Sequence, residues 1–222
     1  MIRHYIGDST PDPGSTGLDN MDPWAHIIGG GLSGLSLASS LAKLGNLPGQ
    51  VVVSEPNLDA LVSKTFSFWF TAAEENFLKP EFSSDTWTLN TSDLQVTQQG
   101  SSFRYGTRTG RNVLESALRA IDLHPQIHIV KEAVHAQPKA SHCFDSRPCN
   151  IDSFELTQSF FGTEVLFDQP HGISQIGLMN EMQRITNGIR FIYTLPLGPH
   201  RLLVEHTDFV TSPSDFSILK DL

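Results

Sequence analysis

Three glycines, Gly29, Gly31 and Gly34, stand in the spacing G-x-G-x-x-G within the run Ile27-Ile28-Gly29-Gly30-Gly31-Leu32-Ser33-Gly34. That spacing suits the pyrophosphate of a dinucleotide. Gly29 permits a tight turn out of a strand, Gly31 lets the backbone approach the phosphates, and Gly34 lets the following helix pack close. Gly30 completes the turn between them. A helix opening here directs free N–H groups and positive dipole at the anion. Glu55 lies 21 positions beyond Gly34, where an acid accepts hydrogen bonds from a ribose hydroxyl.

Two further carboxylates have neighbours that suit proton chemistry. Glu205 shares a strand face with Leu203 and Thr207, between apolar residues. Burial there favours the protonated form and raises the pKa, as an acid catalyst needs. By position alone, the commoner arrangement is a strand-end glutamate paired with arginine or exposed on an edge. Glu164 lies on another apolar strand and reads either as a second acid or as an ion-pair partner of Arg190. Asp145 and Arg147 read as anchors of a strand end and turn, with a cofactor contact as the alternative.

The elements that must position these residues follow from periodicity. Trp24 to Ile28 is a short apolar run, long enough for one buried strand. Leu32 to Leu44 predicts a helix with Leu35, Ala38, Leu41 and Ala42 on one stripe, stopped at Gly45-Asn46. Val51-Val52-Val53 has the continuous β-branched character of a buried parallel strand. Gly110 to Ile121 predicts a second helix, with Val113, Ala117, Leu118 and Ile121 on one side. Ile127 to Val130 and Ala133 to His135 read as short strands, and Ser141 to Pro148 as a strand leading into a turn. The aromatic run Lys64 to Phe70 reads equally as core or as the border of a cofactor, and Glu74 to Thr97 has no clear period. In the last third, Phe160 to Phe167, Gly188 to Leu195 and Arg201 to Thr207 alternate, with Leu197-Gly198-Pro199-His200 as a turn. This predicts an antiparallel meander.

The expected fold class is α/β: a Rossmann-like FAD/NAD(P)-binding unit with an antiparallel β-sheet substrate region. The expected division is a flexible leader at 1–22, a nucleotide-binding unit at 23–150 and the sheet region at 151–222.

The 222 residues carry a formal charge of −9, which argues against a nucleic-acid partner and against a polybasic membrane patch. No apolar run spans a bilayer, and no signal peptide opens the chain. Cys143 and Cys149 have neither zinc-knuckle nor redox-pair spacing and read as free thiols in a reduced cytoplasmic setting. Nine histidines raise the question of a metal. His124 and His128 flank an Ile-rich strand with no acid at ligand spacing, so no metal site is expected.

The ordered motifs resemble the flavin-dependent lycopene cyclases of bacterial and plant type. The glycine motif is similar to theirs. Thr65-Phe66-Ser67-Phe68 resembles T-W-S-F, and Phe144-Asp145-Ser146-Arg147 resembles I-D-A-R. Gln158 to Val165 resembles Q-x-F-x-G-x-E-V, and Leu178-Met179-Asn180 sits where L-M-D is usual. Arg190 to Pro196 resembles R-F-x-Y-x-L-P, and Leu202 to Thr207 resembles L-L-V-E-x-T. The resemblance runs from about Trp24 to Pro213. It departs at Asn180, which replaces an acid, and family members continue well beyond the position of Leu222, so a partial or shortened form is expected.

The resemblance implies proton-initiated ring closure of the linear ends of lycopene to β-ionone rings, with no net redox change. It implies reduced FAD as cofactor, a nicotinamide nucleotide, NAD(P)H, as reductant, and a cytoplasmic protein peripheral to a membrane that holds the lipophilic substrate. Glu205 corresponds to the family's acid and Glu164 is the second candidate. Gly29, Gly30, Gly31, Gly34 and Glu55 are the expected cofactor-binding residues. A transient cation calls for exclusion of water and for aromatic faces, which Phe160, Phe161, Phe191 and Tyr193 offer if they are not simply core. The other readings are an FAD-dependent oxidoreductase or monooxygenase of related architecture, and a non-catalytic nucleotide-binding fragment.

Overall fold

The computed structural model describes residues 22–147 and 155–211. The expected leader, up to Met21, and Cys149 lie outside the described residues.

The chain packs as two units, Met1–Lys64 with Gly110–Cys149 and Thr65–Thr109 with Asn150–Leu222. This corrects the expected boundaries. Thr65–Thr109 does not belong with the glycine motif, because its strands pair with one another and with those of the last third.

In the first unit, β1 (Ala25–Ile28), β2 (Val51–Ser54), β8 (Ile127–Val130) and β9 (His142–Asp145) form one parallel sheet in the order β8-β2-β1-β9. Every residue of β1 is buried, which explains its unbroken apolar character. α1 (Leu32–Lys43) buries Gly34, Leu35 and Ala38, and it packs on α3 (Gly110–Ile121), which buries Val113, Leu114, Ala117 and Ile121. Gly45 ends α1 with a φ of +82°, as glycine readily does. Ala133–His135 forms no strand. β8 and β9 are opposite edges of the sheet, so the chain between them has to travel across rather than pair.

In the second unit, β3 (Thr65–Thr71), β4 (Phe82–Ser84) and β7 (Phe103–Thr109) form a three-stranded antiparallel sheet in the order β3-β7-β4. A single helical turn, α2 (Glu75–Leu78), joins β3 to β4. The larger sheet has six strands in the order β10-β13-β12-β11-β5-β6. These are β5 (Thr86–Asn90), β6 (Gln95–Gln99), β10 (Thr157–Leu166), β11 (Ile176–Ile185), β12 (Gly188–Gly198) and β13 (Arg201–Val210). The expected meander is present in β10 to β13, but β11 also pairs in parallel with β5, so the sheet is mixed. Tyr105, Ile176, Leu195, Leu197 and Leu203 form the core, with Trp87, Leu178 and Tyr193 packed against it.

Candidate functional site

The parallel sheet brings the ends of β1, β2 and β9 to one edge. Strand β1 continues into the glycine turn, β2 into Glu55, and β9 into Ser146-Arg147. β1 is flanked by β2 on one side and β9 on the other, and such a switch point is where open α/β sheets bind ligands.

Each glycine of the turn answers a different steric demand. Gly29 has a φ of +97°. A Cβ at Gly34 would lie 1.9 Å from the Gly29 carbonyl oxygen, so helix and turn meet only because that side chain is missing. A Cβ at Gly30 would lie 2.7 Å from the Glu55 Cβ. Gly31 differs: its φ of −74° and ψ of −168° suit any residue, and among the described residues a Cβ there would meet nothing within 4 Å. The space beside Gly31, at the N-terminus of α1, is therefore open toward a ligand.

Glu55 Oε2 accepts the Gly30 N–H at 2.8 Å, and Oε1 accepts the Asn57 N–H at 2.8 Å. The acid thus braces the turn. Beneath it, the Ser54 hydroxyl donates to Glu132 Oε1 at 2.9 Å and accepts from His26 Nε2 at 2.8 Å. Burial holds His26 below the usual imidazole range, against the pull of Glu132. On the β9 side the Ser146 hydroxyl is 2.9 Å from the Ile28 carbonyl oxygen and 3.0 Å from that of Gly29. Arg147 grips Asp145 through two hydrogen bonds, at 2.9 and 2.6 Å, and donates to the Val134 carbonyl at 2.6 Å. Those bonds hold the Asp145 carboxyl down at about 2. Asp145 and Arg147 are thus anchors of the strand end.

The second unit holds the candidate acid. In β13, Glu205 stands across from Tyr193 of β12 and from Gly162 of β10. It is half-buried. Burial pushes its carboxyl up, opposed by a hydrogen bond from the Thr207 hydroxyl to Oε1 at 3.2 Å. Tyr105 is pushed up to about 12, first by burial and then by Tyr193, with Glu205 adding to the same effect. Tyr105 meets Trp69 edge-on at 4.8 Å, and Trp69 meets Trp87 at 4.6 Å. Two phenolic side chains, Tyr193 and Tyr105, therefore stand near the acid.

The other sequence candidates separate here. Glu164 shares the Glu205 face of the sheet but is exposed. It pairs with Arg201 at 2.6 Å, not with Arg190 as expected. Arg190 holds Asp208, fully buried, at 2.7 Å on the opposite face. Phe191 is core, Tyr193 is half-buried, and Phe160 and Phe161 are exposed. Asn180 pairs with Ile192, on the face away from Glu205, and its Oδ1 accepts from Thr88 and Asn90 at 3.2 and 3.0 Å. Trp69 lies in the aromatic run Lys64 to Phe70, which reads equally as core or cofactor border, Trp87 in the stretch without a clear period, and Tyr105 beyond it, so periodicity could not assign them to the acid. His124 bonds the Gly45 carbonyl and His128 bonds Gln50.

A family profile described as "Lycopene cyclase protein" matches residues 25–220. The chain belongs to the lycopene cyclase family. Against the lycopene beta-cyclase of Pantoea ananas it is 43% identical over 53 residues, which are 24% of this chain and 14% of that protein. Against the lycopene beta-cyclase of Paracoccus sp. (strain N81106 / MBIC 01143) it is 40% identical over 52 residues, 23% of this chain and 14% of that one. The stretch aligned with these curated relatives is thus a small part of their length. Among solved structures, a p-nitrophenol 4-monooxygenase of Pseudomonas putida DLL-E4 superposes with a TM-score of 0.59 at 13% identity, covering 90% of this chain and 60% of the other. A flavin-dependent halogenase of Xanthomonas campestris gives 0.61 at 9% identity, covering 89% and 58%. This lycopene cyclase family member therefore has the α/β fold of flavin-dependent oxidoreductases and halogenases, as its sequence predicts.

Proposed function

We propose that this chain acts in lycopene β-cyclisation, with Glu205 as the acid. The observation that carries the reading is the carboxyl of Glu205, half-buried and shifted toward its protonated form opposite Tyr193. A protonated acid in apolar surroundings can deliver H⁺ to an end-group double bond of a hydrocarbon. Protonation at one alkene carbon leaves a tertiary cation at its neighbour. A second double bond attacks that cation and closes the ring, and loss of a different proton restores neutrality. The product is an isomer of the substrate, and no electrons are exchanged. Aromatic rings such as those of Tyr193 and Tyr105 near Glu205 favour positive charge, and the cation requires exclusion of water to escape capture.

FAD fits the first unit. The open space beside Gly31 at the N-terminus of α1 suits a pyrophosphate. Glu55 stands within the turn to meet a ribose hydroxyl and must then share its oxygens with the Gly30 and Asn57 amides. When bound and reduced by NAD(P)H, the flavin supplies electron density that stabilises cationic species. Lycopene is insoluble in water, so a cytoplasmic protein peripheral to the membrane is the matching setting. No helix among the described residues is long and apolar enough to cross a bilayer.

The test is expression of the chain in bacterial cells that accumulate lycopene, with pigments separated by chromatography. Cyclic carotenoid is expected from the native sequence and none from Glu205→Gln. Equal ring formation by the two proteins would remove Glu205 from the reaction. Reductant consumption matching product one for one would favour an oxidoreductase or monooxygenase instead.

A further inference from the structure

The two oxygens of Glu205 have different surroundings. Oε1 accepts the Thr207 hydroxyl at 3.2 Å. Oε2 turns toward β10, where the cross-strand residue is Gly162. A Cβ built on Gly162 would lie 3.6 Å from Oε2 and 3.0 Å from Leu203 Cδ1. Gly162 is itself exposed, whereas Tyr193 covers the other flank of Glu205. Along β10 the same face carries Phe160, 52% exposed, on one side of Gly162 and Glu164, held by Arg201 at 2.6 Å, on the other, with Leu166, 74% exposed, beyond it.

From this asymmetry we infer that Gly162 is a specificity-determining opening, through which the hydrocarbon end group reaches the Oε2 proton of Glu205. The inference rests on the proposed cyclase reading and deepens it. With Oε1 engaged as an acceptor, the acid's proton resides on Oε2 and leaves on the β10 side. The O–H bond breaks as the new C–H bond forms at the alkene, and the carboxylate keeps the electron pair. A methyl at position 162 sits at ordinary contact distance from Oε2, and the flexible Leu203 tip can yield a few tenths of an ångström. A branched or longer side chain occupies the space that the alkene needs. The backbone at Gly162 has no positive φ, so it places no strain on larger residues.

The experiment compares native protein, Gly162→Ala and Gly162→Leu for ring formation from lycopene, bound FAD and melting temperature. The expected result is that Gly162→Ala keeps most of its activity. Gly162→Leu is expected to keep its fold and FAD but lose ring formation about 100-fold, the scale of a reacting group displaced by an ångström. Ring formation by a folded Gly162→Leu protein at the native rate overturns the inference. If that variant does not fold, Gly162→Cys is purified and converted at position 162 to the methyl or benzyl mixed disulfide with methyl or benzyl methanethiosulfonate, methanesulfinate being the leaving group, with mass spectrometry confirming the site. Loss of activity with benzyl but not methyl supports the opening, and equal activity refutes it. Native protein that makes no ring counts against the cyclase reading itself, whereas active native and active Gly162→Leu protein count only against the opening.

Discussion

Glu55 and Gly30 are joined by a 2.8 Å hydrogen bond from the backbone N–H to Oε2, so the acid at the end of one strand fixes the turn at the end of its neighbour. Cofactor recognition and local folding therefore share a residue. Gly31 escapes this coupling, because nothing among the described residues lies within 4 Å of its missing side chain. Gly31→Val should fold with a melting temperature close to native and lose bound FAD, by obstructing the pyrophosphate approach. Gly34→Ala should instead lose the fold, since its methyl would lie 1.9 Å from a carbonyl oxygen. Absorbance near the flavin bands and circular dichroism of the two variants check both statements; flavin retained by a folded Gly31→Val protein contradicts the first.

Glu205 makes stability depend on pH in a definite direction. Its folded pKa is raised by burial, so the native state holds the proton more tightly than the unfolded chain. Its favourable contribution is complete below the unfolded carboxyl pKa and disappears as pH rises through the raised folded value. Glu205→Gln should therefore melt higher than the native protein at pH 8, by about 1–3 °C, and this advantage should vanish at pH 4. In cyclisation, the native rate should fall as alkali removes the proton. A rate that rises through the same range would be incompatible with Glu205 as the acid.

Asn180 lies on the face of the sheet opposite Glu205, with two donors aimed at its Oδ1. Restoring the family's acid by Asn180→Asp keeps both hydrogen bonds. The expected outcome is unchanged ring formation and a small change in melting temperature. A large gain of activity would place the carboxylate in the reaction despite its position.

Arg190 and Asp208 form an ion pair in which the carboxylate is fully buried. Arg190→Leu removes that partner from a fully buried carboxylate and should lower stability by about 1–3 kcal/mol, measured by urea denaturation. An unfolding free energy equal to that of the native protein would show that the pair adds nothing to stability.

Much of this architecture was legible in the sequence. β1 and β2 are continuous apolar runs in a buried sheet, α1 and α3 each bury one stripe, and the place of Glu55 beside the glycine turn follows from spacing. β10, β12 and β13 carry an alternating sequence that marks them as strands, although β10 is exposed along almost its whole length. β11 was missed because register shifts at Gly177/Asn180 and Asn180/Gln183 break its alternation. β6 is exposed at every position and so carries no inside-outside code. The choice of Arg201 over Arg190 as partner of Glu164 depends on strand register, which composition does not encode. Tyr105 stands 100 positions from Glu205, and only the pairing of two sheets places it near the acid.

The interleaving of the two units has a consequence for synthesis on the ribosome. Strand β5 finds its β11 partner about 90 residues later, whereas the parallel sheet needs nothing beyond Asp145. The first unit can thus close while β5, already paired with β6, waits with its other edge open. Distant pairing is slow to form, and waiting strand edges attract one another. Nascent chains paused between these points should be the species that chaperones capture and that aggregates recruit.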